Sequence, residues 1–206
     1  MDIAIVTGAS SGMGREFAKA VDASFGLDEI WVVARREERL KELEKECRTK
    51  VRVLPLDLSL PESLTRLGSL IRETGPHIRI LVNASGYGLF GEFGPTELDG
   101  QLGIVDLNAR ALTAMCHMAL PFMREGDSIV NLGSNSCWQP VPYMAVYAAS
   151  KAYVLSFSRS LGRELKGRGI HVMCVCPGWV KTEFMDRARR DDTIRYFDKD
   201  KNRFTY

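Results

Sequence analysis

This chain carries almost no excess of either charge. Its 28 Lys and Arg stand against 26 Asp and Glu, a formal net charge of +2 over 206 residues. So small an excess gives no argument for a nucleic-acid partner. Long apolar runs are missing too. None approaches the roughly 20 residues that cross a bilayer, so no membrane partner is expected. No signal peptide is expected either, because the first strand begins within three residues of Met1. Histidine is scarce: His77, His117 and His171 lie in unrelated stretches, which does not support a histidine-built metal site. The five cysteines are odd in number and scattered. Cys174 and Cys176 are expected to alternate along a strand, on opposite faces, unable to share a metal. All five read as reduced thiols of a cytoplasmic protein. Repeats, low-complexity segments and linkers are absent, so residues 1–206 are expected to form one domain. That length suffices for a sizeable core, and 45% hydrophobic with 26% charged residues is ordinary for a globular protein.

The chain alternates between short apolar runs and helical patterns. Ile3-Ala4-Ile5-Val6 reads as a buried strand. It runs into Thr7-Gly8-Ala9-Ser10-Ser11-Gly12-Met13-Gly14, and a helical pattern follows with Phe17, Ala18, Val21 and Phe25 on one face. A glycine-rich turn between a strand and a helix lets backbone amides approach a phosphate closely. Glu29 to Ala34 reads as the second strand. About 20 residues past such a loop, a protein that binds NAD usually carries an acid. Here the chain has Arg35 and Arg36. An arginine fork suits a 2′-phosphate that an acid would repel. NADP(H) is therefore favoured, with NAD(H) left open. The two arginines could instead be solvated charges opening the next helix, or Arg35 could stack on adenine.

The charged helix Glu37 to Cys47 buries Leu40 and Leu43, and its charges read as a solvated face. A strand over 51–56 ends in Asp57-Leu58, and Pro61 opens a helix. A strand over 78–82 ends in Asn83-Ala84-Ser85-Gly86. A helical pattern from Thr96 to Met123 embeds Asn108. Two further strands, 127–132 and 170–175, end in Gly133-Ser134 and Pro177-Gly178. The alternation predicts an α/β fold, a doubly wound parallel sheet of the Rossmann kind in a single domain. Ligands in such sheets bind beyond the carboxyl ends of the strands, where these turns lie.

Tyr147 and Lys151 sit four apart, which stacks them on one helical face. A phenol near pH ~10 is a poor base at neutral pH, and an ammonium beside it is expected to pull its pKa down. The pair is a candidate proton donor and acceptor, although a Tyr and a Lys at this spacing are also ordinary helix neighbours.

Together these motifs resemble the short-chain dehydrogenase/reductase family in its single-domain branch. The resemblance runs from Met1 to about Glu183. It rests on the glycine loop Thr7 to Gly14, Asp57, the Asn83-to-Gly86 turn, Asn108, Ser134 placed 13 residues before Tyr147, the Tyr147–Lys151 pair and Pro177-Gly178. The resemblance implies an NADP(H)-dependent oxidoreductase that interconverts a secondary alcohol and a ketone. It implies Tyr147 as general acid/base, Ser134 as the hydroxyl on the same substrate oxygen, Lys151 on the nicotinamide ribose, and Asn108 holding a relay water. It implies a cofactor cradle of Gly8, Ser10, Ser11, Gly12, Met13 and Gly14. Arg35 would take the 2′-phosphate with Arg36 beside it, Asp57 and Leu58 would flank the adenine, and Asn83, Ala84, Pro177, Gly178, Val180 and Thr182 would complete the site. Residues 179–206 are expected to be a substrate loop and short tail.

Two departures stand out. The usual Asn-Asn-Ala-Gly turn reads Asn83-Ala84-Ser85-Gly86. The family's C-terminal strand is expected to be lacking, since the polar tail from Arg187 shows no strand pattern before Arg203-Phe204-Thr205-Tyr206. The resemblance then implies a homodimer through the helices carrying Asn108 and Tyr147 rather than a tetramer, because the second interface of family tetramers uses that strand. The pocket is expected to draw on Tyr87, Leu89, Phe90, Cys137, Trp138, Tyr143, Trp179, Phe184 and Met185. That apolar, aromatic set favours a large hydrophobic alcohol or ketone. The competing readings are a non-catalytic NADP(H)-binding sensor or scaffold and a nucleotide-sugar epimerase or dehydratase. The four candidate catalytic residues speak against the first. The lack of room for a second domain speaks against the other.

Overall fold

A computed structural model describes residues 1–180, 182–184 and 188, with the strand residues 197–198 and 203–204. Six strands follow the apolar runs closely: β1 Asp2–Thr7, β2 Glu29–Ala34, β3 Lys50–Pro55, β4 His77–Asn83, β5 Ser128–Leu132 and β6 His171–Val175. All pair in parallel in the order β3-β2-β1-β4-β5-β6. The order reverses between β1 and β4, which opens a crevice at their carboxyl ends.

Helices cover both faces of this sheet, because strand residues alternate between two apolar environments. Ile3, Ile5, Trp31, Val33, Leu81 and Ile129 pack on α3 (Pro61–Thr74), α5 (Leu112–Ala119) and α6 (Ala145–Glu164). Ala4, Val6, Ile30, Val32, Ile80 and Val82 pack on Ala18 and Val21 of α1 (Gly12–Ser24) and Leu40 and Leu43 of α2 (Glu37–Glu46). The α1 face is built close. A Cβ on Gly14 would lie 2.3 Å from the Gly8 oxygen, so only glycine lets the helix start against the end of β1.

The long helix expected from Thr96 is segmented. It comprises α4 (Leu98–Val105), a π-helical turn Asp106–Ala111, α5, and a 3₁₀ turn Leu120–Phe122. The π turn carries Asn108 on the buried side, and such widened turns mark functional positions often.

Among the described residues the main sheet ends at β6. Phe197–Asp198 and Arg203–Phe204 form a separate antiparallel pair, β7 and β8. No helix among the described residues is long and apolar enough to cross a membrane.

One expectation about the strands is overturned. Residues two apart in a strand share a face, and the Cys174 and Cys176 sulfurs lie 3.6 Å apart, with Cys137 another 3.6 Å from Cys176. Burial pushes the Cys137 and Cys174 thiols up to about 11, so they are neutral at physiological pH. No group of three or more ligating side chains among the described residues is arranged to hold a metal.

Candidate active site

A cleft of about 730 Å³ runs along the carboxyl ends of the strands. Its first end is the glycine turn between β1 and α1. Gly8 and Gly12 take positive φ (70° and 53°), a conformation that suits glycine. The Thr7 hydroxyl accepts from the Ala84 and Ser85 amides at 3.1 and 3.2 Å, tying the exit of β4 to this turn. Ser10, Ser11, Met13 and Ala84 line the cleft with the glycines.

Arg35 and Arg36 leave β2 in different directions. Arg35 has a 64% exposed side chain and sits 3.7 Å from an Asp57 oxygen. Arg36 turns back over the glycine turn, donating to the Ser10 hydroxyl at 3.1 Å and pairing with Glu183 at 2.9 Å. Glu183 also pairs with Arg39. The Arg39 and Arg36 guanidiniums hold the Glu183 carboxyl down to about 2. Asp57 and Leu58 form the adjoining wall.

The other end holds the candidate chemistry. Ser134 follows β5 and is fixed by backbone bonds on either side, from Gly133 N to Val175 O (2.8 Å) and from Asn135 N to Pro177 O (2.9 Å). Its hydroxyl accepts from the Ser136 amide at 3.2 Å. Tyr147 and Lys151 are buried on the inner face of α6. The Lys151 amine lies 5.8 Å from the Tyr147 ring centre. Burial lowers it to about 8.

The phenol behaves differently from expectation. Burial raises the Tyr147 pKa, and a hydrogen bond with Ser134 opposes the rise. Desolvation of the phenolate therefore outweighs any pull from the ammonium.

Asn108 is one step behind the cleft wall. Its amide donates to Tyr87 O and Ser150 Oγ, both at 3.0 Å, and its oxygen accepts from Tyr87 N at 3.1 Å. A Cβ on Gly86 would reach within 3.0 Å of the Asn108 oxygen and 3.5 Å of the Lys151 amine, so glycine keeps the space between them open. Asn83 also lies beneath the cleft, donating to Asn131 at 2.9 Å.

Tyr87, Phe90, Pro177, Gly178, Trp179, Val180, Thr182 and Phe184 border the cleft as expected from their place after strands. Other expected pocket residues lie elsewhere. Trp138 ends the turn Asn135–Trp138 facing outward, 60% exposed, with the Arg159 guanidinium 4.8 Å over its ring. Tyr143 adopts φ 63° at a loop corner, where its carbonyl accepts from Gly91 at 3.0 Å. Leu89 packs in a small cluster with Ile104 and Met144, and Cys137 is buried among the thiols. Met185 lies outside the described residues. The readings from sequence missed Ser136, Gln139, Pro140, Val141, Met144 and Glu183, all of which line the cleft. Four of them follow Ser134 within seven residues, which was a usable signal. Glu183 had none, being 147 residues from Arg36.

A doubly wound sheet with a glycine turn at its switch point, facing a serine, a tyrosine and a lysine, places this chain in the class of dinucleotide-binding oxidoreductases. Residues 2–193 match the family described as short chain dehydrogenase. The chain belongs to that family. It is 37% identical over 190 residues to sulfoacetaldehyde reductase 2 of Chromohalobacter salexigens, covering 89% of this chain and 74% of that protein. It is similar to a short-chain dehydrogenase of Sphingobium yanoikuyae solved in complex with NADPH (TM-score 0.83, 32% identity, 95% of this chain and 78% of that one). It is also similar to the bulky-bulky ketone specific alcohol dehydrogenase of Comamonas testosteroni (TM-score 0.77, 30% identity, 86% and 73%).

Proposed function

We propose that this protein is an NADP(H)-dependent oxidoreductase interconverting a secondary alcohol and a ketone on a hydrophobic substrate. The observation that carries the reading is the continuity of one cleft from Arg36 and the glycine turn to Ser134, Tyr147 and Lys151. The residues present fit the cofactor. Positive-φ glycines leave backbone exposed for a pyrophosphate, and guanidiniums at the end of β2 suit a 2′-phosphate. The similar Sphingobium protein binds NADPH, which supports the same reading here.

Bound there, NADP(H) would supply or accept the hydride. The chain's own residues handle the proton and the developing charge. The Ser134 and Tyr147 hydroxyls lie at the same end of the cleft and would both present O–H groups to the substrate oxygen. A raised phenol pKa keeps Tyr147 protonated at neutral pH, which suits a general acid in the reducing direction. Lys151 and Asn108 flank the space kept by Gly86, where a relay to Tyr147 would run.

The substrate end is walled by Tyr87, Phe90, Val141, Met144, Trp179 and Phe184. That lining supports a bulky apolar carbonyl compound. Residues 1–206 are read as one cofactor-binding unit, with 179–206 serving the substrate. A homodimer through the Asn108 and Tyr147 helices is supported by exposed Leu98, Leu102 and Val105 in a row on α4. Light scattering checks this, and a monomer mass would refute it.

Fluorescence titration with NADPH and NADH, then a panel of bulky ketones followed by loss of reduced-cofactor absorbance, tests the function. NADPH binding with turnover supports it. Failure to bind either nucleotide would overturn it.

A further inference from the structure

Three consecutive residues after β6 touch three separate parts of the cleft. Thr182 lies against the glycine turn, where a Cβ on Gly12 would meet its methyl at 3.4 Å. Glu183 spans to Arg36 and Arg39. Phe184 packs on Tyr147, with ring centres 5.4 Å apart at 50°. One short segment therefore reaches from the end of β2 to the candidate proton donor.

The middle contact concerns the arginine that overhangs the glycine turn. Arg36 is the guanidinium bonded to Ser10, so it stands where the adenosine end of a dinucleotide meets β2. Its anionic partner is the Glu183 carboxylate of its own chain. Phosphate and carboxylate compete for the same planar N–H donors, and the phosphate brings the larger charge.

We propose that Glu183 stands in for the cofactor 2′-phosphate on Arg36 and Arg39, and that arrival of this phosphate displaces it and releases Glu183 and Phe184 from the cleft. The inference rests on the NADP(H) reading above. It makes Glu183 a specificity-determining residue that holds down the preference for the 2′-phosphate, because a nucleotide with a free 2′-hydroxyl does not compete with the carboxylate. It also links the two ends of the cleft. Freeing Glu183 frees its neighbour Phe184 from the Tyr147 ring, so the cofactor's phosphate clears the way for substrate.

The coupling has a sign that can be read. Removing the carboxylate removes the competitor, so ligands carrying a 2′-phosphate bind more tightly and the others do not change. Both ion pairs are partly exposed, with side chains 32–42% accessible, so the gain is modest, roughly three- to ten-fold.

The test is calorimetric titration of wild type and Glu183→Gln with adenosine 2′,5′-bisphosphate, AMP, NADPH and NADH. The expected result is a selective three- to ten-fold tightening for adenosine 2′,5′-bisphosphate and NADPH, with AMP and NADH within two-fold. The selective gain shrinks between about 0.05 and 0.5 M salt, as screening weakens the pair. Glu183→Ala gives the same pattern without introducing an amide. Equal tightening of all four ligands would show a general loosening of the segment and overturn the proposal. Unchanged affinity of wild type and both variants for the two 2′-phosphate ligands would overturn it while leaving the NADP(H) reading intact. Wild-type protein that binds neither 2′-phosphate ligand would remove that reading and this inference together.

Discussion

The amine of Lys151 donates to the main-chain oxygen of Leu132 at 2.6 Å, two residues before Ser134. The contact ties α6 to the end of β5 and sets the spacing between the two candidate catalytic hydroxyls. It also holds an amine almost fully out of water, at 5% exposure.

That burial has a pH signature. Lys151 sits at about 8 in the folded chain, against 10.5 as its ordinary value. Between those values the unfolded chain binds a proton that the folded chain does not, so stability rises with pH across this window. Below pH 8 both forms are charged, and burial costs on the order of 3 kcal/mol. Lys151→Met carries no such cost. Its stability relative to wild type should fall by about 2 kcal/mol between pH 7 and pH 9.5, measured as urea unfolding of both proteins. The buried thiols and Tyr147 are common to both and cancel. A pH-independent difference would show that the ammonium is not penalised.

Tyr147→Phe deletes one hydroxyl and little volume. Its ring still packs on Phe184, and Ser134 keeps its backbone bonds. Turnover should fall by about 10²–10⁴-fold, while NADPH affinity stays within a few-fold. Stopped assays and a binding titration on the same preparation separate the two. Retained turnover would remove Tyr147 from the proton step.

The centre of the sheet was legible because β1, β2 and β4 are short, mostly apolar runs, and a parallel sheet buries both faces of its inner strands. β2 is the plainest case, with all six residues buried. The glycine turn was legible because it stood between a strand and a helix. What could not be read was direction and distance. A sequence does not say that Trp138 leaves its turn outward under Arg159, or that Tyr143 turns a corner at positive φ. The burial that raises Tyr147 depends on Phe184, which is distant in sequence. The pairing of Arg36 with Glu183 crosses 147 residues, far beyond any local pattern. The Cys174–Cys176 error was of another kind, since the two-residue strand period itself puts them on one face.

Two glycines separate local fit from backbone freedom. A Cβ at Gly14 would press on the Gly8 oxygen at 2.3 Å, and backbone cannot swing aside as a side chain can. Gly14→Ala should cost about 2 kcal/mol or more and impair nucleotide binding. Gly26, in the loop before β2, has nothing within 4 Å of its Cβ position and no positive φ. Gly26→Ala should be neutral or stabilise by up to about 1 kcal/mol through the unfolded state. Thermal melts of the two variants decide this, and equal losses would mean the close α1 packing is not limiting.

The last prediction concerns which arginine reads the 2′-phosphate. The resemblance points to Arg35, the first residue after β2. The geometry favours Arg36, whose guanidinium lies over the glycine turn on Ser10. Arg35 is twice as exposed and faces Asp57 at 3.7 Å. A guanidinium fixed by a neighbouring hydroxyl loses less freedom on binding than a solvated one. Arg36→Gln should therefore lower the preference for NADPH over NADH by roughly 10- to 100-fold, since a charge-assisted contact contributes about 1.5–3 kcal/mol. Arg35→Gln should change it by a few-fold at most, through lost field alone. The ratio of kcat/KM for the two cofactors in each variant is the measurement. A larger loss at Arg35 would restore the assignment made from the motif and would mean that Arg36 serves chiefly to hold Glu183.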